Sequence, residues 1–145
     1  CTVLRFYGAF GPYEPPRKIY TRLVQAYALH RERCFSIRGD GTNLIDAMYI
    51  DDAIEALLKV LHHTSGDGTY DLGVGAPLPI DALVRRAAAC FELEPVTIEH
   101  EGKTEEPIRF WMDPQPFARH FGFTPSISLE DGLQRLAGFL RSGRQ

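Results

Sequence analysis

The chain has 145 residues, 44% hydrophobic and 24% charged, with a formal net charge of −3. That is enough chain and apolar content for one ordinary core, and the near-balance of charge argues against a nucleic-acid or membrane-surface partner. No apolar run approaches a membrane span, and Cys1, Cys34 and Cys90 are too far apart for a disulfide framework or a metal pattern, which fits a cytoplasmic protein.

The first seven residues, Cys1 to Tyr7, are rich in β-branched and aromatic side chains and predict a strand. A chain that opens inside a strand, on Cys rather than Met, reads as a piece of a longer protein. The alternative is a short protein that has lost its initiator Met. Gly8 to Pro16 carries three prolines and two glycines and predicts a loop. Arg17 to Leu29 predicts a helix with Ile19, Leu23, Ala26 and Tyr27 inward. Cys34 to Ile37 predicts a strand that ends at a Gly39-Asp40-Gly41 turn, and Ala47 to Ile50 predicts another.

Asp51 or Asp52 then stands as the N-cap of a helix running to about His62, with Ile54, Leu57, Leu58 and Leu61 as its buried stripe. Ser65 to Gly68 is a loop and Thr69 to Val74 a strand. Pro79 opens a helix to Phe91, with Leu83, Ala87, Ala88 and Phe91 inward. Val96 to His100 is a short strand. Asp113-Pro114 starts a brief helix stopped by Gly122, and Ser128 caps a last helix striped by Leu133, Leu136, Ala137 and Leu140.

Four landmarks in order carry a resemblance. They are Leu4-Arg5 leading to Gly11-Pro12, and Gly39-Asp40-Gly41 followed by Asp46 and Tyr49-Ile50-Asp51-Asp52. Then come Tyr70-Asp71-Leu72-Gly73, and Asp113 followed by Phe121-Gly122-Phe123-Thr124-Pro125 and Leu129-Glu130-Asp131-Gly132-Leu133. From Val3 to about Leu140 the chain resembles the C-terminal half of the extended short-chain dehydrogenase/reductases, the NAD(P)-dependent nucleotide-sugar epimerases and dehydratases.

The resemblance implies an α/β fold, the C-terminal portion of a Rossmann-type dinucleotide-binding protein. Residues 1–7 and 69–74 would be its last sheet strands, and most of the rest a small mixed α/β substrate lobe. It also implies that NAD or NADP is held mostly by a half absent here. The Gly-rich pyrophosphate turn and the Tyr-x-x-x-Lys acid/base pair of the family are not found in this sequence, so the chain alone is expected to be catalytically silent. A homodimer would form through that missing half.

By resemblance, Phe6, Tyr7 and Gly8 approach the cofactor and the sugar. Gly8 stands where the family usually has an Asn on the substrate diphosphate, and Ile45 where it has an Arg. Lys103 aligns with a second family Arg and keeps the charge without the fork geometry. Arg17 and Arg38 sit where the family lines its nucleotide pocket and could replace the lost cation. These losses leave a second possibility, a reductase of a non-nucleotide carbonyl compound, and a third, a non-catalytic binding or regulatory module.

Several of these residues also have plain structural readings. Arg5 is expected as an ion-pair partner and Asp52 as a cap. Gly39 to Asn43 is a turn rather than a calcium loop. His62-His63 point apart on a helix and make no metal pair. Trp111 and Phe110, next to Arg109, are core packing before they are a base-stacking platform. Lys103, Arg17 and Arg38 are otherwise solvated surface cations.

Overall fold

The computed structural model describes residues 1–63, 67–109 and 112–143. Strand β1 (Thr2–Phe6) pairs in parallel with β6 (Gly68–Leu72), Thr2 opposite Gly68 and Phe6 opposite Leu72. Arg5 and Asp71 are register partners, and Arg5 Nε donates to Asp71 Oδ1 at 2.6 Å. The expected structural ion pair of Arg5 is therefore present. A second parallel pair joins β3 (Cys34–Arg38) to β8 (Thr97–Glu101).

Two short pairs stitch the segments between them. β2 (Ala9–Phe10) runs parallel to β5 (Met48–Tyr49), and β4 (Leu44–Ile45) antiparallel to β7 (Leu78–Pro79). The expected Gly8–Pro16 loop thus contains a strand. The expected strand at Ala47–Ile50 is shorter, because Ile50 already belongs to the next helix.

Helix α1 (Ile19–Val24) continues as a π-helical turn over Gln25–Leu29, where the His30 N–H reaches back five residues to the Gln25 carbonyl at 2.9 Å. It packs with α3 (Ile80–Cys90) and α5 (Leu129–Arg141) around Leu23, Val24, Tyr27, Leu83, Val84, Ala87 and Leu133. The start of α5 is capped as the sequence predicts, with Ser128 Oγ accepting the Asp131 N–H at 3.1 Å. Gly132 lets α5 press on the β2–β5 pair: a Cβ there would sit 2.6 Å from Phe10 Cζ. The short α4 (Gln115–Phe121) stops at Gly122, which is left-handed at φ 63°.

Helix α2 (Ile50–His62) departs from expectation in two ways. Its buried residues are Asp52, Ala53 and Ala56, whereas Leu61 is 77% exposed and Ile54, Leu57 and Leu58 are about half exposed. The helix is apolar on two sides. The alanine side fits closely against Met48, Leu72, Phe117 and Phe121, so the larger stripe points outward. Asp52 does not cap the helix either. Tyr49 holds the cap position, and the Asp52 carboxylate, 2% exposed, accepts the Ser126 and Ile127 N–H groups at 2.9–3.2 Å together with the Ser126 hydroxyl. It ties α2 to the loop that leads into α5.

Phe110 and Trp111 lie outside the described residues, as do Ser65 and Gly66 of the loop before β6. No helix of the described residues is long and apolar enough to cross a membrane. Among the described residues no group of three or more His, Cys, Asp or Glu is placed to hold a metal ion. The Gly39–Asn43 segment is an ordinary Asp turn, in which Asp40 Oδ1 accepts the Thr42 N–H at 3.1 Å and the Thr42 hydroxyl at 2.7 Å.

Candidate functional site

Strands β1 and β6 are parallel, so their carboxyl ends face the same way, and in open α/β sheets ligands bind beyond such ends. A cavity of about 270 Å³ opens beyond the end of β1, lined among others by Tyr7, Gly8, Lys18, Tyr20, Ile45 and Asp46. Tyr7 and Gly8 reach it because they follow directly on β1. Lys18 and Tyr20 come from the start of α1, and Ile45 and Asp46 from the end of β4.

Asp46 joins the two strand ends. It is 2% exposed and its Oδ2 accepts the Gly75 N–H at 2.8 Å. The backbone N–H groups of Val74 and Ala76 also favour its ionised form, but burial outweighs them and pushes the carboxyl up. The segment after β6 is thereby pinned beside the segment after β1. Glu14 plays a similar part for α1: its Oε2 accepts the Thr21 N–H at 3.0 Å and the Thr21 hydroxyl at 2.8 Å. Burial raises its carboxyl against the pull of Thr21 and Lys18.

These two acids shape the potential of the cavity. Burial, then Glu14 and Asp46, hold the Tyr20 phenol far above its ordinary range, and burial, then Asp46, raises Tyr7. Lys18 is the cationic lining residue, and Leu44, Ile45 and Ile108 make an apolar wall. The site can therefore offer a tyrosine hydroxyl as hydrogen-bond donor, one ammonium for an anion, and a dry surface for a ring.

The residues singled out by sequence are only partly brought together. Tyr7 and Gly8 line the cavity; Phe6, 47% exposed, stands at the strand end outside it. Arg17 is exposed and adjoins Lys18 without lining the cavity. Arg38 and Lys103 are exposed at the carboxyl end of β3–β8, near where the Gly39 N–H donates to the Glu101 carbonyl at 2.9 Å and the Asp40 N–H to Thr104 Oγ1 at 3.2 Å. The Asp40 carboxyl is lowered to about 2, chiefly by its hydrogen bonds from Thr42.

Sequence reasoning missed Lys18, Glu14 and Tyr20 as lining residues. It started the helix at Arg17, whereas α1 begins at Ile19, and that offset turns Lys18 rather than Arg17 to the cavity. Asp46 carried a signal of its own, a single carboxylate inside the apolar run Leu44-Ile45-Asp46-Ala47-Met48, which burial makes an obligatory acceptor.

The fit of these residues to a dinucleotide is partial. Of the three residues expected at the cofactor, Tyr7 and Gly8 line the cavity and Phe6 does not. No glycine-rich strand–turn–helix cradle for a pyrophosphate occurs among the described residues.

The family model described as NAD dependent epimerase/dehydratase family matches residues 1–73. A UDP-glucose epimerase of Bacillus subtilis, itself uncharacterized, is 27% identical over 147 residues, covering 97% of this chain and 44% of its own length. The 2-alkyl-3-oxoalkanoate reductase of Stenotrophomonas maltophilia is 28% identical over 132 residues, covering 68% of this chain and 40% of its own. Among solved structures, UDP-glucuronic acid 4-epimerase of Bacillus cereus, in complex with UDP-glucuronic acid and NAD, superposes with a TM-score of 0.80 at 23% identity. It covers 97% of this chain and 45% of that one. The Pseudomonas aeruginosa protein RMD, complexed with NADPH, gives 0.83 at 17% identity, over 98% and 48%. These two likenesses establish the fold alone, an α/β architecture of the Rossmann type. The chain spans less than half the length of the curated relatives it matches. With the family model covering half of its residues and the parallel strand ends in place, the chain belongs to the NAD dependent epimerase/dehydratase family.

Proposed function

We propose that this chain is the C-terminal, substrate-facing portion of an NAD(P)-dependent enzyme that epimerises or dehydrates a nucleotide-activated sugar, and that it is inactive alone. The observation that carries the reading is the cavity at the carboxyl end of β1, with Tyr7, Gly8 and Lys18 on its wall. The large exposed stripe of α2 and the two-stranded β1–β6 sheet, to which no further strand is added among the described residues, support the division of labour, since a preceding cofactor-binding half would cover the stripe and extend the sheet.

In this reading NAD or NADP, when bound, supplies the hydride acceptor and donor, and most of its contacts lie outside residues 1–145. Phe6, Tyr7 and Gly8 close one side of its site. Lys18 meets the diphosphate of the substrate, and Arg17, Arg38 and Lys103, which do not line the cavity, are the further cations of the clamp. The apolar wall of Leu44, Ile45 and Ile108 excludes water from the nucleotide side. A charge-assisted contact of this kind contributes about 1.5–3 kcal/mol, so Lys18→Ala in the complete enzyme raises KM by roughly 10- to 100-fold with a smaller change in kcat. The double replacement Arg17→Ala with Lys103→Ala raises it further. Unchanged KM values in both variants refute the diphosphate clamp.

One observation favours a second reading. Gly8 and Ile45 offer no charge, and Glu14 and Asp46 place two carboxyl groups against the single Lys18. That balance suits an uncharged carbonyl substrate, reduced rather than epimerised. Competition by free nucleoside diphosphate separates the two, because tight competition excludes the second reading and its absence excludes the first.

A further inference from the structure

A second cavity lies behind the first, between the Gly11–Pro16 loop and α5. Its volume is about 230 Å³, and its walls include Tyr13, Pro15, Pro16, Leu136 and Phe139, with Glu14 among its few polar residues. Glu14 thus lines both cavities, the front one beside Lys18 and Tyr20 and this rear one beside Phe139. The rear cavity owes nothing to the sheet ends, and its function does not depend on the nucleotide-sugar reading.

Three features give it a chemical preference. First, both hydrogen bonds that Glu14 receives from Thr21 fall on Oε2, and among the described residues no donor reaches Oε1. Second, this carboxyl is partly withdrawn from water, and burial outweighs the support that Thr21 and Lys18 give its ionised form. Third, the rest of the wall is apolar and aromatic. Tyr13 stands at φ 66°, a left-handed conformation unusual for a tyrosine, and sets its ring edge-on to Phe139 at 5.0 Å between centroids. A loop that holds a 74%-exposed tyrosine in that conformation keeps one side of the cavity open and aromatic.

We propose that this rear cavity is a second ligand site, for a small molecule with an aromatic or branched apolar body and one cationic nitrogen. The body lies beside Phe139, Leu136 and the Pro15-Pro16 pair, and the nitrogen donates to Glu14. The volume falls below the range of about 300–1,000 Å³ usual for drug-sized ligands, so the molecule is of one or two rings. A phosphate or carboxylate group is excluded by the same glutamate. Because Glu14 also faces the front cavity, a cation on its rear side weakens the negative potential at Tyr20, and an occupied rear site favours an anionic group in front.

The test uses the complete protein that carries this sequence, with 2-phenylethylamine as probe and 2-phenylethanol and 3-phenylpropionate as shape-matched neutral and anionic controls. Binding is followed by chemical-shift changes of the ligand and by calorimetry. The amine is expected to bind about tenfold more tightly than the alcohol, and the acid not at all. Glu14→Gln should bring amine and alcohol to the same affinity. Phe139→Ala should weaken both by about tenfold, and Tyr13→Gly, which relieves the backbone at an exposed position, should weaken both without harming the fold. Equal binding of the three probes, no binding of the amine, or amine binding that survives all three substitutions overturns the proposal. None of these outcomes touches the Lys18 measurement, so the two readings fail separately.

Discussion

At the scale of single residues, the buried acids decide most. If Asp52 were only a helix cap, Asp52→Ala would cost about 1 kcal/mol. Its carboxylate instead receives two backbone N–H groups and a hydroxyl from Ser126–Ile127, so the expected loss is roughly 2–4 kcal/mol, read from the urea midpoint at unchanged slope. Asp46 gives a prediction in pH. Its folded-state pKa is raised, chiefly by burial, so the fold binds that proton more tightly than the unfolded chain does. Its contribution favours the fold below the ordinary carboxylate range near about pH 4 and is lost as pH rises through the elevated value. Asp46→Asn removes that fall while its amide oxygen still accepts from Gly75, so the stability difference between variant and parent should grow in the variant's favour from about pH 4 upward. A difference that is flat with pH counts against a buried, strained carboxylate. Tyr27 completes the set, since its hydroxyl is the one buried side-chain polar atom among the described residues without a hydrogen-bond partner. Tyr27→Phe should leave stability unchanged or raise it by about 1 kcal/mol in thermal or urea unfolding.

At the scale of elements, local signals were readable wherever one residue type has one physical use. Ser128 reads as a cap because its hydroxyl has an orphan amide within reach three residues on, and Gly122 as a stop because it takes a left-handed φ that a side chain resists. Leu83, Ala87 and Ala88 read as the inner face of α3, and the structure buries all three. The α2 stripe could not be read in the same way. Periodicity reports that Ile54, Leu57, Leu58 and Leu61 want burial, but not which body buries them, and within this chain the alanine face wins because only small residues fit against Leu72 and Phe117. The candidate site was half legible for a related reason. Tyr7 and Gly8 follow from a strand end, whereas the choice of Lys18 over Arg17 depends on where α1 begins, the least certain feature of any helix reading. Gly132 tests the packing of α5 directly. Alanine has the better helix propensity, yet its Cβ would press on Phe10 and Tyr49. Gly132→Ala should therefore cost about 1–3 kcal/mol rather than stabilise, and a stabilised variant would show that α5 stands further from the β2–β5 pair than 2.6 Å to Phe10 Cζ allows.

At the scale of the whole molecule, the same leucines should act in opposite directions in two contexts. In residues 1–145 alone, Leu58 and Leu61 stand on an exposed apolar stripe, and among the described residues β1 and β6 form a sheet of only two strands. Such a surface associates with itself. Replacing both residues by Lys removes apolar area and adds repulsion, so the isolated chain should sediment with less self-association and bind less of a hydrophobic dye. In the complete protein the stripe is covered by the preceding half, if residues 1–145 are the substrate-facing portion of a two-part fold. Burying a leucine contributes about 1.5–3 kcal/mol, so the same double substitution should lower the stability of the complete protein by several kcal/mol. It should also loosen its hold on the nicotinamide cofactor, if that site lies between the two halves. Opposite signs require that the stripe be an internal interface of a longer enzyme. A gain in solubility in both contexts, with stability and cofactor binding intact, would mean that α2 faces solvent in the complete protein too, and the division into a cofactor half and a substrate half would have to be redrawn along another surface.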